Sequence, residues 1–525
     1  MKKKNVVIIG AGPAGLSTAY KLLKTSDKYD VTIIESENIV GGISKTIEFD
    51  KYKIDTGIHR FFTKNDEVNN LWSEVLKTQS KPAYDDNILN RNKKYDEKGI
   101  DPEKEDKCWL IKDRYTRIYY GKKFYDYPVK LNMKTISNMG FITFIKAGFS
   151  YLKAVIFKKK ETSLENFYIN RFGKVLYSMF FESYTEKVWG IHPSNISADW
   201  GKQRVKGLSI IKILKECFKK VFHIKNNSNT ETSLIDSFIY PKLGSGQIYE
   251  EMANEIIKMG GNIIYEAKVQ EINVDKKGSI NKIVYIKNNK KENIKCDICV
   301  SSMPIKNLFE SLKNINIPKK IYNSATKLPY REFMSVGLVV DRFNMKNDSN
   351  IKTINNIIPD SWIYMQEPDV KMGRIQVFNN WSPYMFKTKE EINDKVMFSL
   401  EYFCSENDKY WNMSDDKFID FAISEAEKLN IINKENVLNK VRIKINKAYP
   451  AYFGTYKDID KIKDFINNKI NNLYCIGRNG QHRYNNMDHS ILTGIRASEA
   501  ILGLVEKEDV WNVNVEQEYH EEKKN

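Results

Sequence analysis

Three glycines and one acid mark the first place where this chain could do chemistry. Residues 6–9, Val-Val-Ile-Ile, lead into Gly10-Ala-Gly12-Pro-Ala14-Gly15; a helical stretch follows, and Val31-Thr-Ile-Ile then ends at Glu35. A buried-type strand, a Gly-x-Gly-x-x-Gly turn, an amphipathic helix and a second strand closed by an acid stand in the order a dinucleotide-binding βαβ unit requires. Gly10 lets the chain turn sharply off the strand. Gly12, with Ala14 in the same turn, lets a pyrophosphate approach the backbone, and Gly15 lets the helix pack close to the sheet. The helix N-terminus adds unpaired N–H groups and partial positive charge. Glu35 can accept hydrogen bonds from a ribose. The competing reading is a glycine-rich turn in an unrelated α/β protein, and the order of the elements favours the dinucleotide.

A Gly-Gly pair follows the ribose acid in Val40-Gly41-Gly42-Ile43-Ser44, as expected of a loop that crosses close to a cofactor. The chain has 525 residues, 41% of them hydrophobic, enough for two or more domains with real cores. Its formal charge of +17 suits nucleotides, nucleotide sugars or anionic lipid surfaces, and equally a lysine- and asparagine-rich proteome. The basic residues are spread along the chain with no nucleic-acid motif, so nucleic acid is not an expected partner. Cys296 and Cys299 have CxxC spacing but lie in a strand with no second pair, and no metal site is expected. Free cysteines fit a reducing cytoplasm. The apolar run after Met1-Lys-Lys-Lys is too short for a signal peptide. The apolar stretch Phe141 to Phe157 contains Lys146 and Lys153 and is too short and charged to span a bilayer. It is read as a core helix, with a surface-lying helix as the alternative. The expected location is cytoplasmic, with peripheral membrane contact left open.

These signals alternate between helix and strand, which gives an α/β class. Residues 130–222 read as mostly helical, and strands recur around 262, 268, 282, 297, 335–341, 362–378 and 473. The final helix reads from Ile491 to Leu504.

Four features occur together: the Gly-Gly doublet after the acid, Ile239-Tyr-Pro-Lys-Leu-Gly-Ser-Gly, a strand ending Ser301-Ser-Met-Pro, and a C-terminal Ile476-Gly-Arg loop before a helix. The chain resembles the two-domain FAD-dependent amine oxidase and protoporphyrinogen oxidase superfamily. That resemblance implies FAD, a Rossmann-type FAD-binding domain and a discontinuous mixed α+β substrate domain. It divides the chain into 1–75 (FAD-binding), 76–112 (surface insertion), 113–235 (mainly helical substrate part), 236–310 (FAD-domain return), 311–445 (substrate sheet and helices), 446–504 (C-terminal FAD part) and 505–525 (loosely held tail).

Within the superfamily, four segments are most similar to UDP-galactopyranose mutases. Thr56-Gly57-Ile-His59 is similar to the loop those enzymes place against the flavin. Tyr184-Thr185-Glu-Lys-Val-Trp189-Gly resembles their nucleotide-pocket segment. Gly373-Arg374 resembles the strand carrying their diphosphate arginine. Gly477-Arg478 through Tyr484, Asn486, Met487 and Asp488 resembles their C-terminal flavin loop. The resemblance implies a nucleotide-sugar mutase acting in cell-surface polysaccharide synthesis through a flavin N5–sugar adduct, with NAD(P)H or another reductant. It makes Arg374 and His59 the candidate catalytic residues, with Tyr184, Thr185, Trp189, Arg204, Arg374 and Tyr484 on the substrate. Gly10, Gly12, Ala14, Gly15, Glu35, Gly41, Gly42, Ile43, Ser44, Gly57, His59, Gly477, Arg478, Asn486, Met487 and Asp488 would hold FAD. Asn486 and Asp488 are expected to tie down the loop or the ribityl chain.

The chain departs from those mutases in having Gln481-His482 where Glu-Tyr is usual, and in the 77–112 insertion. Each residue also has a plainer reading. Arg374 could make an ion pair, His59 could be structural, and Tyr184 and Trp189 could be core aromatics. The alternative function is an oxidoreductase in which the flavin takes hydride from an amine, a sugar or an isoprenoid-like substrate. It predicts an aromatic cage, to which Phe378-Asn-Asn-Trp381 could contribute.

Overall fold

A computed structural model describes residues 3–129, 133–198, 201 and 237–514. Strand Lys4–Ile9 is the middle of a five-stranded parallel sheet ordered Asn262–Ile264, Tyr29–Ile34, Lys4–Ile9, Ile298–Ser301, Leu473–Cys475. Val6 to Ile9 are buried without alternation, as expected of a parallel strand covered on both faces. Helix Pro13–Thr25 begins with Pro13, whose missing N–H and fixed φ suit a first helical turn. It crosses helix Met487–Leu502 closely enough for Ser17 Oγ to donate to Ile491 O at 3.1 Å and Thr18 Oγ1 to Gly494 O at 3.2 Å. The first and last helices are thus fastened to each other.

The second lobe is built on a seven-stranded sheet ordered Val437–Pro450, Tyr330–Val340, Val396–Cys404, Arg374–Val377, Trp362–Met365, Thr116–Tyr120, Lys123–Asp126. Its outer face is apolar: Met334, Val336, Leu338, Phe398, Leu400, Ile375 and Val377 pack with Phe418 and Ala422 of helix Asp415–Lys428. By the two-residue period of a strand, Phe333, Ser335, Gly337, Glu401, Ser399, Arg374, Gln376 and Tyr364 point the other way, toward the first lobe. The α/β expectation, with a dinucleotide-type domain and a second mixed domain, describes this architecture.

Three expectations need correction. Segment 76–112 is not only a surface insertion. Its strand Cys108–Asp113 pairs with Ser237–Pro241, and Trp109 is buried between Phe61 and Trp72. The segment's charges misled because they bury one another: Lys112 pairs with Asp85 at 2.8 Å and Lys93 with Asp86 at 2.6 Å. The described part of the tail is held down, since Val510, Trp511 and Val513 are buried and Gln481 Nε2 donates to Val510 O at 2.7 Å. Helix Phe141–Ile156 is not a core helix. Of its residues only Ala147 and Ala154 are buried, and Phe141, Ile142, Phe149, Leu152 and Ile156 are exposed.

Candidate active site

The glycine turn forms as its spacing demands. Gly10 takes φ +99°, where a Cβ is strained, and a Cβ at Gly15 would lie 2.0 Å from the Gly10 carbonyl oxygen. Glu35 ends its strand with Oε2 accepting from Ala11 N at 2.7 Å and Oε1 accepting from Glu37 N at 3.0 Å. Ser36 Oγ also donates to Oε1 at 3.1 Å, and a carboxylate has about four acceptor sites, so Glu35 can still take a ribose hydroxyl. Gly41 N donates to Ala11 O at 2.9 Å, which seats the Gly41–Ser44 loop against the glycine turn.

A buried acid that the sequence did not single out organises this region. Asp55 accepts from Tyr240 Oη at 2.5 Å, Thr46 Oγ1 at 2.7 Å and Ser245 N at 3.0 Å, while Ser245 Oγ donates to Ser44 O at 2.9 Å. This explains the Ile239-Tyr-Pro-Lys-Leu-Gly-Ser-Gly segment: it is strapped to the strand leading to His59 and to the Gly-Gly loop together. Burial pushes the Asp55 carboxyl up to about 6, against the pull of its three donors. Thr56 Oγ1 donates to Ile43 O at 2.8 Å, which ties the Gly57–His59 loop to the Gly41–Ser44 loop.

The other end of the chain arrives at the same place. Gly477 N donates to Thr493 Oγ1 at 2.8 Å, and a Cβ on Gly477 would lie 3.1 Å from that of Ala14. Asn486 immediately precedes helix Met487–Leu502, with Met487 and Asp488 in its first turn. Arg478 Nε donates to Asn485 O at 2.8 Å and Nη1 to Ala448 O at 3.1 Å. Both of its partners are backbone carbonyls, so its charge meets no carboxylate there.

His59 sits between the two lobes. Its Nδ1 is buried with no hydrogen-bond partner. Burial, followed by the positive charges of Arg478 and Arg374, pushes the imidazole down to about 3, so it is neutral at physiological pH. That coupling brings three of the expected site residues into one electrostatic neighbourhood.

Arg374 and Glu401 stand directly opposite on paired strands, and Arg374 Nε donates to Glu401 Oε2. Arg374 Nη2 donates to Tyr449 Oη at 3.1 Å, and its guanidinium lies 5.1 Å from the Phe403 ring. Tyr449 stacks on Tyr484 at 5.6 Å, and the Arg478 guanidinium lies 4.8 Å from the Tyr484 ring. Tyr184 meets Tyr364 edge-on at 5.3 Å, and burial holds its phenol well above the usual range. Arg374, Arg478, His59, Tyr184 and Tyr484 therefore lie in one connected neighbourhood. Arg374 makes an ion pair, and that pair stands within this group of residues.

Beside Arg374 the inner face of the sheet is polar and unpaired. Gln376 and Ser399 are cross-strand partners, as are Glu401 and Ser335. Gln376 Nε2 and Oε1, Ser399 Oγ, Ser335 Oγ and Glu401 Oε1 are all buried without a partner. Buried polar atoms left unpaired are costly, so a contiguous set of them points to a polar ligand. The sequence hid this patch, because its residues alternate with the apolar outer face and read as ordinary strand positions.

Other expected site residues lie elsewhere. Trp189 packs in the helical core with Phe167, Tyr168 and Ile196. Thr185 is buried in helix Ser183–Trp189. Lys187 of the same motif donates to the carbonyls of Met365, Glu367 and Met372 at 2.6–3.0 Å, clamping the turn that carries Arg374. Trp381 packs among Phe238, Tyr240 and Trp362 and forms no cage. Arg204 lies outside the described residues.

Comparisons with known proteins bear on the family and the fold. A family model described as flavin containing amine oxidoreductase matches residues 13–502. A coproporphyrinogen III oxidase of Staphylococcus aureus (strain NCTC 8325 / PS 47) is 36% identical over 72 residues, 14% of this chain and 16% of that protein. The chain therefore spans less than a fifth of that relative's length. A solved structure of reduced UDP-galactopyranose mutase superposes with TM-score 0.75 at 20% identity, covering 98% of this chain and 97% of that one. Wild-type putrescine oxidase bound to putrescine superposes with TM-score 0.55 at 12% identity, covering 95% and 99%. The cofactor is FAD, and the residues fit it. The helix Pro13–Thr25 N-terminus suits the diphosphate, Glu35 a ribose, and His59 with its unpaired Nδ1 stands ready for a polar edge.

Proposed function

We propose a function from the premise that this chain belongs to the flavin containing amine oxidoreductase family and is an FAD-dependent enzyme. Within that family we read it as a nucleotide-sugar mutase similar to UDP-galactopyranose mutase. The observation that carries the reading is the presence of two guanidiniums beside a row of unpartnered polar atoms, those of Gln376, Ser399 and Ser335 and the Oε1 of Glu401. A substrate with an anionic leaving group and several hydroxyls matches that wall, and a hydrocarbon amine does not.

A bound reduced flavin supplies a nucleophile for an anomeric carbon. The chain's own residues do the rest. Arg478, uncompensated by any carboxylate contact, attracts the diphosphate and stabilises it as it departs. Arg374, held rigid by Glu401 and Tyr449, aims its remaining N–H donors at the same group. Neutral His59 offers a hydrogen bond without adding charge beside the flavin. Gln376, Ser399 and Ser335 orient sugar hydroxyls, and the Tyr184, Tyr364 and Phe403 rings exclude water.

One observation favours a second reading. The Arg374 charge is balanced by Glu401, and the cleft rim is aromatic, which is the wall expected of an oxidase acting by hydride transfer. The test is to incubate the enzyme with UDP-galactopyranose and dithionite or NADPH. The mutase reading expects ring-size isomerisation with no stoichiometric consumption of reductant. Steady hydrogen peroxide production from a polyamine, with no isomerisation, supports the oxidase instead.

A further inference from the structure

We infer that helix Phe141–Ile156 lies in the headgroup region of an anionic phospholipid bilayer and holds the enzyme on that surface. The helix is apolar on two opposite sides. One side, carrying Ala147 and Ala154, packs on helix Leu164–Tyr177, where Ser150 Oγ accepts from Val175 N at 3.2 Å. The other side carries Phe141, Ile142, Ile145, Phe149, Leu152, Val155 and Ile156, spread over about 140° at 3.6 residues per turn, and none is buried. Ile142, Phe149 and Ile156 are each at least 70% exposed, and Met133 and Phe157, before and after the helix in sequence, are exposed as well. An apolar face of this extent on a surface helix marks a contact with lipid or another protein.

The charge pattern selects lipid. Between Asp126 and Glu161 the sequence holds seven lysines and no acid. Among the described residues only Lys134 of these pairs with a carboxylate, Asp348. Lys146 and Lys153 sit at one edge of the exposed apolar arc, placed to reach headgroup phosphates while the arc enters the acyl boundary. Two copies meeting through this face would bring like charges together. No single helix among the described residues is long and apolar enough to cross a membrane, and Met133–Met139 meets Phe141–Ile156 at 103°. The arrangement therefore suits lying on a bilayer, and this holds whichever substrate the cleft takes.

The test is co-sedimentation of the full-length, flavin-loaded enzyme with vesicles of phosphatidylcholine alone or mixed equally with phosphatidylglycerol. Binding is expected to the mixed vesicles and to weaken with added salt. Phe149→Asp/Leu152→Asp should abolish it, and Lys146→Gln/Lys153→Gln should weaken it about thirtyfold. Unchanged flavin absorbance and melting temperature in these exposed-site variants show that the fold is intact. The proposal is overturned if the wild type ignores the mixed vesicles or binds both kinds equally. It is also overturned if the aspartate variant binds like wild type, or if that variant's only effect is to turn a dimer into a monomer in light scattering.

Discussion

Replacing Arg374 with methionine tests whether its buried ion pair serves the fold or a ligand. Arg374 donates to Glu401 Oε2 across paired strands and to Tyr449 Oη at 3.1 Å. Removing the guanidinium alone leaves Glu401 buried without its cation, at a cost of about 3–5 kcal/mol of stability. Replacing both partners, as Arg374→Met/Glu401→Gln, removes the uncompensated charge, and the fold should return to within about 1–2 kcal/mol of wild type. If Arg374 also holds a diphosphate, the double variant should still bind UDP more weakly by about 2–5 kcal/mol, thirtyfold or more. Glu401→Gln alone should act with the opposite sign. A carboxylate behind the guanidinium sits roughly 6 Å from an anion in front of it, and at an effective dielectric of about 20 it opposes that anion by about 3 kcal/mol. Its removal should therefore tighten UDP. Thermal unfolding and isothermal titration with UDP read the two effects separately. A double variant that recovers stability and binds UDP as wild type does would refute a ligand role for Arg374.

Three further outcomes follow from buried groups. The depressed His59 imidazole contributes stability that is present above the unfolded value near 6.5 and is lost as pH falls toward about 3. The total is on the order of 5 kcal/mol. Its NMR signals should not titrate between pH 5 and 8, and His59→Gln should remove the acid-side loss; an imidazole titrating near 6.5 contradicts this. Asp55, raised to about 6, behaves oppositely: the stability it contributes is fully present below about pH 4 and lost as pH rises through 6, about 3 kcal/mol in all. Asp55→Asn should flatten that arm of the pH–stability curve, and identical curves would count against it. Gln376→Leu removes two unpartnered buried amide atoms. It should leave melting unchanged or raise it by the equivalent of about 1 kcal/mol, while raising the KM of a nucleotide hexose about tenfold and sparing UDP affinity. A weakened fold with unchanged KM would assign Gln376 to structure.

The nucleotide-binding half was legible because its constraints are local. Gly10, Gly15 and Glu35 each answer to a backbone angle, a close approach or a strand end within a single βαβ unit, so spacing alone exposes them. The proposed substrate wall was legible only where a segment was distinctive: Arg374, Tyr184 and Tyr484 came from motif resemblance, and they are neighbours in the fold. Within the same motifs, Lys187 clamps a turn by hydrogen bonds and Trp189 packs in the helical core, a difference that side-chain direction decides and sequence does not record. Asp55, Glu401 and Ser335 escaped because each is one polar residue in a strand, and its importance arises from partners far along the chain. The helix Phe141–Ile156 was misread for a related reason. Its composition is that of a core helix, and only the tertiary structure shows that just one of its two apolar sides has been covered.

The two guanidiniums in the cleft are not equivalent, and the difference bears on how an anion would enter. Arg374 carries its own counter-ion, so the pair presents little net charge and its value lies in fixed donor geometry. Arg478 is held by two backbone carbonyls, which orient it without neutralising it. An approaching diphosphate therefore meets its attraction at Arg478 and its alignment at Arg374. Both cations reach His59, and both favour its neutral form. A protonated imidazole there would compete for the same anion, so keeping His59 neutral leaves the positive field directed at the substrate. Arg478 belongs to the C-terminal loop that abuts Ala14, so the fastening of the first helix to the last fixes this charge relative to the nucleotide cradle. The field that draws the substrate and the turn that holds the cofactor are thereby parts of one rigid unit.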